Sequence, residues 1–149
     1  SGTGHSDLGD LLVMPTTGKL ILAPLKTQKG KKGYYSTFSH DQEQASPGYY
    51  KVDLESYGIQ AELTATERVG YHQYTFPKSE EAHIILDLVY NVYHHDNKNV
   101  WTFIRVENDT LITGYSYSSC HGIIRYLVVI PHMAEYFHKG TRGLIISKA

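Results

Sequence analysis

The sequence of 149 residues contains one cysteine, one tryptophan and five prolines, and it has no long apolar run. Because Cys120 has no second cysteine to pair with, an internal disulfide and a cysteine-pair zinc site are both excluded. No apolar segment approaches the ~20 residues that cross a bilayer as a helix, so we expect no membrane span. The first residues lack the basic start and apolar centre of a secretory signal, and they give no cellular address.

Charge of one sign is not in excess either, since 14 lysines and arginines stand against 15 aspartates and glutamates. The basic residues are scattered apart from Lys29, Lys31 and Lys32, which fit a solvated loop. A chain without a basic patch has no electrostatic footprint for nucleic acid, so we expect no nucleic-acid partner. The length suits a single domain, which we place over residues 1–149.

Tyrosine is abundant, with 13 residues, and valine, isoleucine and threonine accompany it between short-spaced glycines and prolines. These residue types fit a pleated strand better than a helix, and no segment keeps a 3.6-residue apolar period. Short strands without intervening helices predict an all-β fold, an antiparallel β-sandwich. The predicted strands are Leu11–Met14, Lys19–Ala23, Tyr34–Phe38, Tyr49–Leu54, Ile59–Thr66, Gly70–Phe76, His83–Leu88, Val100–Val106, Leu111–Tyr117, Tyr126–Ile130 and Gly143–Ser147.

The clearest pattern lies at Ile59–Thr66, where the odd-numbered residues are apolar and the even-numbered residues are polar. Successive side chains of a strand point to opposite faces, so this segment has one core face and one polar face. Glu107–Thr110 separates two β-rich runs as the turn of a hairpin would.

The opening loop is the first candidate site. Gly2 and Gly4 let the backbone approach a ligand closely, while Thr3 and His5 supply hydrogen-bonding groups. On composition alone, a glycine-rich β-turn explains the same residues.

His40 and Glu43 form the second candidate, because their i, i+3 spacing beside Asp41 could in principle bind a metal or transfer a proton. A hydrogen-bonded loop corner is the simpler interpretation.

Glu62, Arg68 and His72 form the third candidate. An arginine–carboxylate pair bridging neighbouring strands is the simple interpretation, worth about 0–1 kcal/mol if exposed. Alternatively, this polar face abuts another domain, where a bidentate arginine would fix the orientation.

Other residues carry less chemistry. Trp101 alternates with Phe103, which is typical of a core position, although Trp101 and the many tyrosines could stack on sugar rings. His94 and His95 are adjacent, so on a strand they cannot face one ion, and a surface turn is expected. No acidic pair stands out as a general acid with its general base. We therefore assign no catalytic residue and no metal ligand.

Several runs carry a resemblance to a known enzyme family. They are SGTGHSDLGD (Ser1–Asp10), FSHDQE (Phe38–Glu43), PGYY (Pro47–Tyr50), the alternation at Ile59–Thr66, RVGYH (Arg68–His72) and YTFP (Tyr74–Pro77). In this order they resemble the N-terminal β-sandwich domain of glycoside hydrolase family 92, the calcium-dependent exo-α-mannosidases of bacteria. The resemblance is strong over residues 1–119 and weak over residues 120–149.

The resemblance implies a non-catalytic part of a calcium-dependent, inverting exo-α-mannosidase that acts on mannose-containing glycans. It implies that Gly2, Thr3, Gly4 and His5 contact the sugar. It also implies that a large helical catalytic domain, absent from this chain, supplies the catalytic carboxylates and most calcium ligands. His40, Glu43, Glu62, Arg68 and His72 would then lie at the interface with that domain.

Four further expectations complete this interpretation. The chain would be a fragment of a longer sandwich, inactive alone and prone to self-association, and the enzyme would be secreted or periplasmic. The alternative is a stand-alone carbohydrate-binding module that uses tyrosine and tryptophan on one sheet face. A structural sandwich with no sugar partner is the third possibility.

Overall fold

The computed structural model describes residues 11–23, 33–88, 99–118, 122–129 and 141–148. These residues form ten β-strands and a single-turn 3-10 helix at His40–Gln42. The strands are β1 (Leu12–Thr17), β2 (Gln44–Ser46), β3 (Tyr49–Leu54), β4 (Ile59–Ala65), β5 (Val69–Thr75), β6 (Ala82–Asp87), β7 (Asn99–Asn108), β8 (Leu111–Ser118), β9 (Gly122–Val129) and β10 (Thr141–Lys148).

The strands build two sheets in which every described pairing is antiparallel. A large sheet has the order β2-β3-β4-β5-β10-β9-β8-β7, and β1 pairs with β6 in a two-stranded ribbon. The described residues include no α-helix. The prediction of an all-β, antiparallel sandwich-like fold is therefore confirmed.

The core lies between the ribbon and the part of the large sheet formed by β3, β4 and β5. The alternation predicted for β4 is present, since Ile59 and Ala61 are buried while Gln60 and Glu62 are partly exposed. Register places Val52 of β3 opposite Ala61, and Ala61 opposite Tyr74 of β5. Residues directly opposite in an antiparallel pair share a face, so these apolar side chains form one surface.

The ribbon covers that surface with its own alternate residues. The buried cluster consists of Val52, Ile59, Ala61, Tyr74 and Phe76, and the ribbon residues packed against it are Leu11, Val13, Ala82, Ile84 and Leu86. We call the face of the large sheet that carries this cluster the inner face, and the opposite face the outer face.

Two strand predictions are wrong, Lys19–Ala23 and Tyr34–Phe38. Gly18, at φ +77°, ends the β1–β6 ladder with a hydrogen bond from its N–H to the carbonyl of Glu81 (2.8 Å). None of the described strands pairs with Lys19–Ala23, and Leu22 is 69% exposed.

The second segment is anchored by separate contacts rather than by a ladder. Tyr34 is buried and its hydroxyl donates to the Asp87 carboxylate, while the carbonyl of Thr37 accepts from the N–H of Glu55 (3.1 Å). Segments of β-rich composition therefore form strands only where a neighbouring strand is available to pair with them. The short strand β2 was not predicted.

The far end of the large sheet is the β7–β8 hairpin, which the turn at residues 107–110 predicted correctly. Phe103 lies opposite Tyr115, and Ile104 lies opposite Gly114. Gly114 is required there, because a Cβ at this position would lie 2.6 Å from the carbonyl oxygen of Phe103. The two strands therefore approach more closely at Gly114 than a side chain would allow.

The core position predicted for Trp101 and Phe103 is wrong. Their side chains are 48% and 42% exposed. They lie on the outer face. Their partners on β8, Tyr117 and Tyr115, point away from the face that carries Ile112, and Ile112 packs against the core cluster. The predicted alternation along β7 is present, but no second layer of described residues covers the outer face.

Candidate functional site

The opening residues Gly2, Thr3, Gly4 and His5 lie outside the described residues. Their role in sugar contact therefore stays a prediction.

His40 and Glu43 are brought together, and Tyr50 of β3 joins them. Nδ1 of His40 lies 2.7 Å from Oε2 of Glu43, and the Tyr50 hydroxyl donates to Oε1 of Glu43 at 2.5 Å. Ser39 caps the short helix by accepting from the N–H of Asp41 (3.3 Å), which holds His40 and Glu43 on one side of the turn. The structure thus forms the hydrogen-bonded loop corner that the spacing suggested.

This network shifts the pKa of two of its members. The hydrogen bond from Tyr50, followed by that from His40, holds the pKa of the Glu43 carboxyl below its ordinary value. The same bond to Glu43 raises the pKa of Tyr50 to about 12. A carboxylate with a lowered pKa and both oxygens engaged is a poor proton donor, so the arrangement fixes the loop rather than moving protons.

The exposed surface of this corner is aromatic. The rings of Phe38 and His40 meet edge to face with centroids 5.1 Å apart, and both side chains are exposed, His40 by 84%. Because Glu43 holds the His40 ring and Tyr50 is anchored at the core, the two rings form a rigid projection. Such a projection suits contact with another surface.

Glu62 and His72 are not brought together, because they lie on opposite faces of the large sheet. His72 is directly opposite Leu63, the neighbour of Glu62, and Leu63 shares the inner face. Glu62 lies on the outer face, where its Oε1 accepts from the Tyr49 hydroxyl at 2.6 Å. Among the described residues, no ion pair joins Glu62 to Arg68, so the predicted arginine–carboxylate bridge is not formed.

His72 is part of the inner layer. Its Nδ1 lies 2.7 Å from the hydroxyl of Tyr74, and the rings meet edge to face. Burial lowers the pKa of His72 and raises the pKa of Tyr74, so both side chains are neutral at pH 7. This neutral pair lies on the inner face beside the core, and the predicted interface role of His72 stays a prediction.

An open cleft of about 510 Å³ lies at one end of β3, β4 and β5, lined by residues of both faces of the large sheet. Asp53 and Gln60 meet on its wall, where Nε2 of Gln60 donates to Oδ1 of Asp53 at 3.0 Å. Its other lining residues are Gln42, Leu54, Glu55, Gly58, Ile59, Thr75, Phe76 and Pro77. Carboxylate, amide and hydroxyl groups in one cleft can bind a polar ligand. The sequence gives no signal for this cleft, because its residues are brought together only by the register of the strands.

A second group on the outer face was missed for the same reason. Arg105, Glu107 and Thr113 form a network in which Oε1 of Glu107 accepts from Nε of Arg105 (2.8 Å) and from the Thr113 hydroxyl (2.6 Å). These bonds lower the pKa of Glu107, with Thr113 the larger cause. Beside them, the Trp101 and Tyr115 rings meet edge to face at 4.8 Å.

Within the described residues, no group of three or more histidine, cysteine, aspartate or glutamate side chains is placed to hold a metal ion. Nor does the part of the chain described by the structure include a helix long and apolar enough to cross a membrane.

Comparison with known proteins gives consistent matches. The structure resembles the family GH92 alpha-mannosidase BT3965 from Bacteroides thetaiotaomicron in complex with mannoimidazole, with a TM-score of 0.78, 29% identity and coverage of 99% of this chain. A second structure of that mannosidase gives a TM-score of 0.77 and 28% identity over 99% of this chain. The gh92 family glycosyl hydrolase ccman5 shares the fold, with a TM-score of 0.64, 24% identity and coverage of 95% of this chain and 22% of its own.

The chain spans only 22% and 23% of the length of the two mannosidase structures. A search of curated proteins finds no significant match. The family model described as the glycosyl hydrolase family 92 N-terminal domain matches residues 1–138, and the chain therefore belongs to that family.

Proposed function

We propose that this chain is a non-catalytic part of a calcium-dependent, inverting exo-α-mannosidase that acts on mannosides and N-glycans. The observation that carries the proposal is the match to the family 92 N-terminal domain over residues 1–138, together with relatives that are alpha-mannosidases about four to five times longer. In this proposal the scaffold supports a sugar pocket whose proton-transferring acids belong to a helical catalytic domain outside the chain.

The two described carboxyls with shifted pKa support a non-catalytic role. An inverting glycosidase needs one protonated carboxyl as acid and one carboxylate as base. Glu43 and Glu107 both have lowered pKa values, because each accepts hydrogen bonds that favour the ionised form. Neither is suited to donate a proton near neutral pH.

The proposed contact surface with the catalytic domain is centred on the rigid corner of Phe38, His40 and Glu43. Glu62 on the outer face and Arg68 in the turn after β4 are proposed for the same role. His72 lies on the inner face beside Tyr74, and its role at the interface stays a prediction. Gly2, Thr3, Gly4 and His5 are proposed to contact the sugar.

Calcium in this proposal is bound chiefly outside this chain, as the family resemblance implies. It would supply Lewis-acid or positioning chemistry at the sugar. A secreted or periplasmic location belongs to the proposal too, by family resemblance.

The test is hydrolysis of an aryl α-mannoside by the purified chain, with and without added calcium. We expect no turnover in either condition and no saturable binding of free mannose. Calcium-dependent turnover by the chain alone would overturn the proposal.

A stand-alone carbohydrate-binding module is the second candidate, and one observation favours it. Trp101, Phe103 and Tyr117 are exposed on the outer face, where aromatic rings could stack on sugars. Because Trp101 is the sole tryptophan, its fluorescence reports on this surface directly. A saturable change on titration with mannan that is weakened in Phe103→Ala, a variant that keeps the tryptophan signal, would favour this candidate over the first.

A further inference from the structure

The two edges of the large sheet are built differently. At one edge, β2 has three residues, all of them exposed. At the other, β7 has ten residues, and no described strand pairs with its free side. A long free edge offers a row of backbone N–H and C=O groups to any incoming strand, whereas a very short edge offers few.

β7 also lacks the features that usually prevent edge-to-edge pairing. Its sequence contains no proline, lysine or glycine. Its charged residues, Arg105 and Glu107, both lie on the outer face, so no charge points inward. Irregularities occur only near its ends, which leaves Trp101–Val106 in continuous register with β8.

Apolar side chains project from both faces of this strand. On the inner face, Ile104 and Val106 are 45% and 69% exposed, and on the outer face Trp101 and Phe103 are 48% and 42% exposed. A ligand on one face would leave the other uncovered. An added β-strand would cover both faces and satisfy the backbone at once, so the geometry favours a strand as the occupant.

We propose that the free edge of β7 pairs with β7 of a second copy of this chain, extending the large sheet across a two-fold axis. This inference is independent of the proposed function. A two-fold axis normal to the sheet pairs the strands antiparallel and keeps the outer face of one copy continuous with the outer face of the other. Directly opposite residues must then share a face, which permits only registers centred on a residue.

The two most central registers of Trp101–Val106 are both self-complementary. Centred on Phe103, the pairing sets Arg105 opposite Trp101 of the second copy; centred on Ile104, it sets Arg105 opposite Phe103 of the second copy. Arg105 is 64% exposed and oriented by Glu107, so its guanidinium is available to stack on an aromatic ring. On the inner face, Ile104 lies on or next to the axis and meets apolar or threonine side chains.

The test is the oligomeric state of the 149-residue chain, measured by light scattering and sedimentation over a broad concentration range. We expect a reversible monomer–dimer equilibrium, with concentration-dependent fluorescence of the single tryptophan, Trp101. Ile104→Lys adds an inward charge at the middle of the edge and should weaken dimerisation by about tenfold or more. The matched control is Ala45→Lys on β2, which should dimerise like the unchanged chain.

A second variant distinguishes weakened dimerisation from misfolding of Ile104→Lys. Val106→Lys, at a side chain 69% exposed, should leave the far-ultraviolet circular dichroism unchanged and still weaken the dimer. A chain that stays monomeric at every concentration would overturn the proposal and indicate that other polypeptide covers β7. Dimerisation that survives both β7 variants, or that is lost equally in Ala45→Lys, would overturn it as well.

Discussion

Two regions of the large sheet have similar strand chemistry and opposite surroundings. The covered half, β3 to β5, lies beneath the ribbon and holds Val52, Ile59, Ala61, Tyr74 and Phe76 in a buried cluster. The open half, the β7–β8 hairpin, exposes large apolar side chains on both faces. Alternation of apolar residues therefore specifies which side chains share a face, and a second layer decides whether that face is buried.

The largest expected effect compares one substitution in the two halves. Ile59 is 1% exposed and Ile104 is 45% exposed. Ile59→Ala removes buried methyl groups and leaves a cavity, so we expect a loss of about 2–5 kcal/mol in unfolding free energy. Ile104→Ala should cost about 1 kcal/mol or less, because much of its side chain already contacts solvent. Urea unfolding of both variants measures the difference, and equal losses would show that the open half is covered in solution.

The next prediction tests whether β7 and β8 lie close together at the centre of the open half. Gly114→Ala would place a Cβ 2.6 Å from the Phe103 carbonyl oxygen, so the strands must separate, at a cost of about 1–3 kcal/mol.

The control is Gly48→Ala, which has open space around its Cβ but a φ of +78°. It should lose about 1–2 kcal/mol from backbone strain without altering Trp101 fluorescence. An unchanged Trp101 emission spectrum in Gly114→Ala would contradict the close approach of β7 and β8.

A pH-dependent effect belongs to the covered half. Burial lowers the pKa of His72 below its ordinary 6.5, so below about pH 6.5 the unfolded chain binds a proton that the folded chain does not. Stability contributed by neutral His72 is therefore present above pH 6.5 and is lost as the pH falls towards the lower folded pKa.

We expect His72→Gln to flatten this part of the stability profile, measured by chemical unfolding between pH 7.5 and 5. His40→Gln is the matched control, because His40 is 84% exposed. A profile that keeps its slope in His72→Gln would locate the titration elsewhere.

The smallest effect concerns the corner at Glu43. Glu43→Gln replaces the carboxylate whose hydrogen bond, more than its charge, raises the pKa of Tyr50 to about 12, so the pKa of Tyr50 should fall towards 10. NMR titration of ring-labelled tyrosine measures it. Glu107→Gln, the equivalent change in the open half, should leave Tyr50 unaffected, and a fall of the Tyr50 pKa in that variant would refute the direct contact.

Much of the covered half could be predicted from the sequence. The pattern at β4 gave its buried and polar faces, and the spacing of His40 and Glu43 gave the loop corner. Local signals suffice in both cases, because alternation and i, i+3 spacing act over a few residues. The participation of Tyr50 was missed, since it depends on the return of the chain through β3.

Errors arose where distant residues decide the outcome. Glu62 and His72 both lie near one turn, yet register sets them on opposite faces. Lys19–Ala23 has strand composition, but it forms no strand and pairs with none of the described strands. Trp101 and Phe103 alternate like core residues, yet no described layer covers them.

By itself the sequence determined that this chain forms antiparallel strands whose alternate residues share a face, because residue type and two-residue periodicity are local properties of a sequence. It also carried the motifs of its family. Only the tertiary structure decided which faces are covered, which side chains meet across strands and that no described strand pairs with the outer edge of β7. Those outcomes depend on register and on the layer packed above the sheet, and both are set by contacts between residues far apart in the chain.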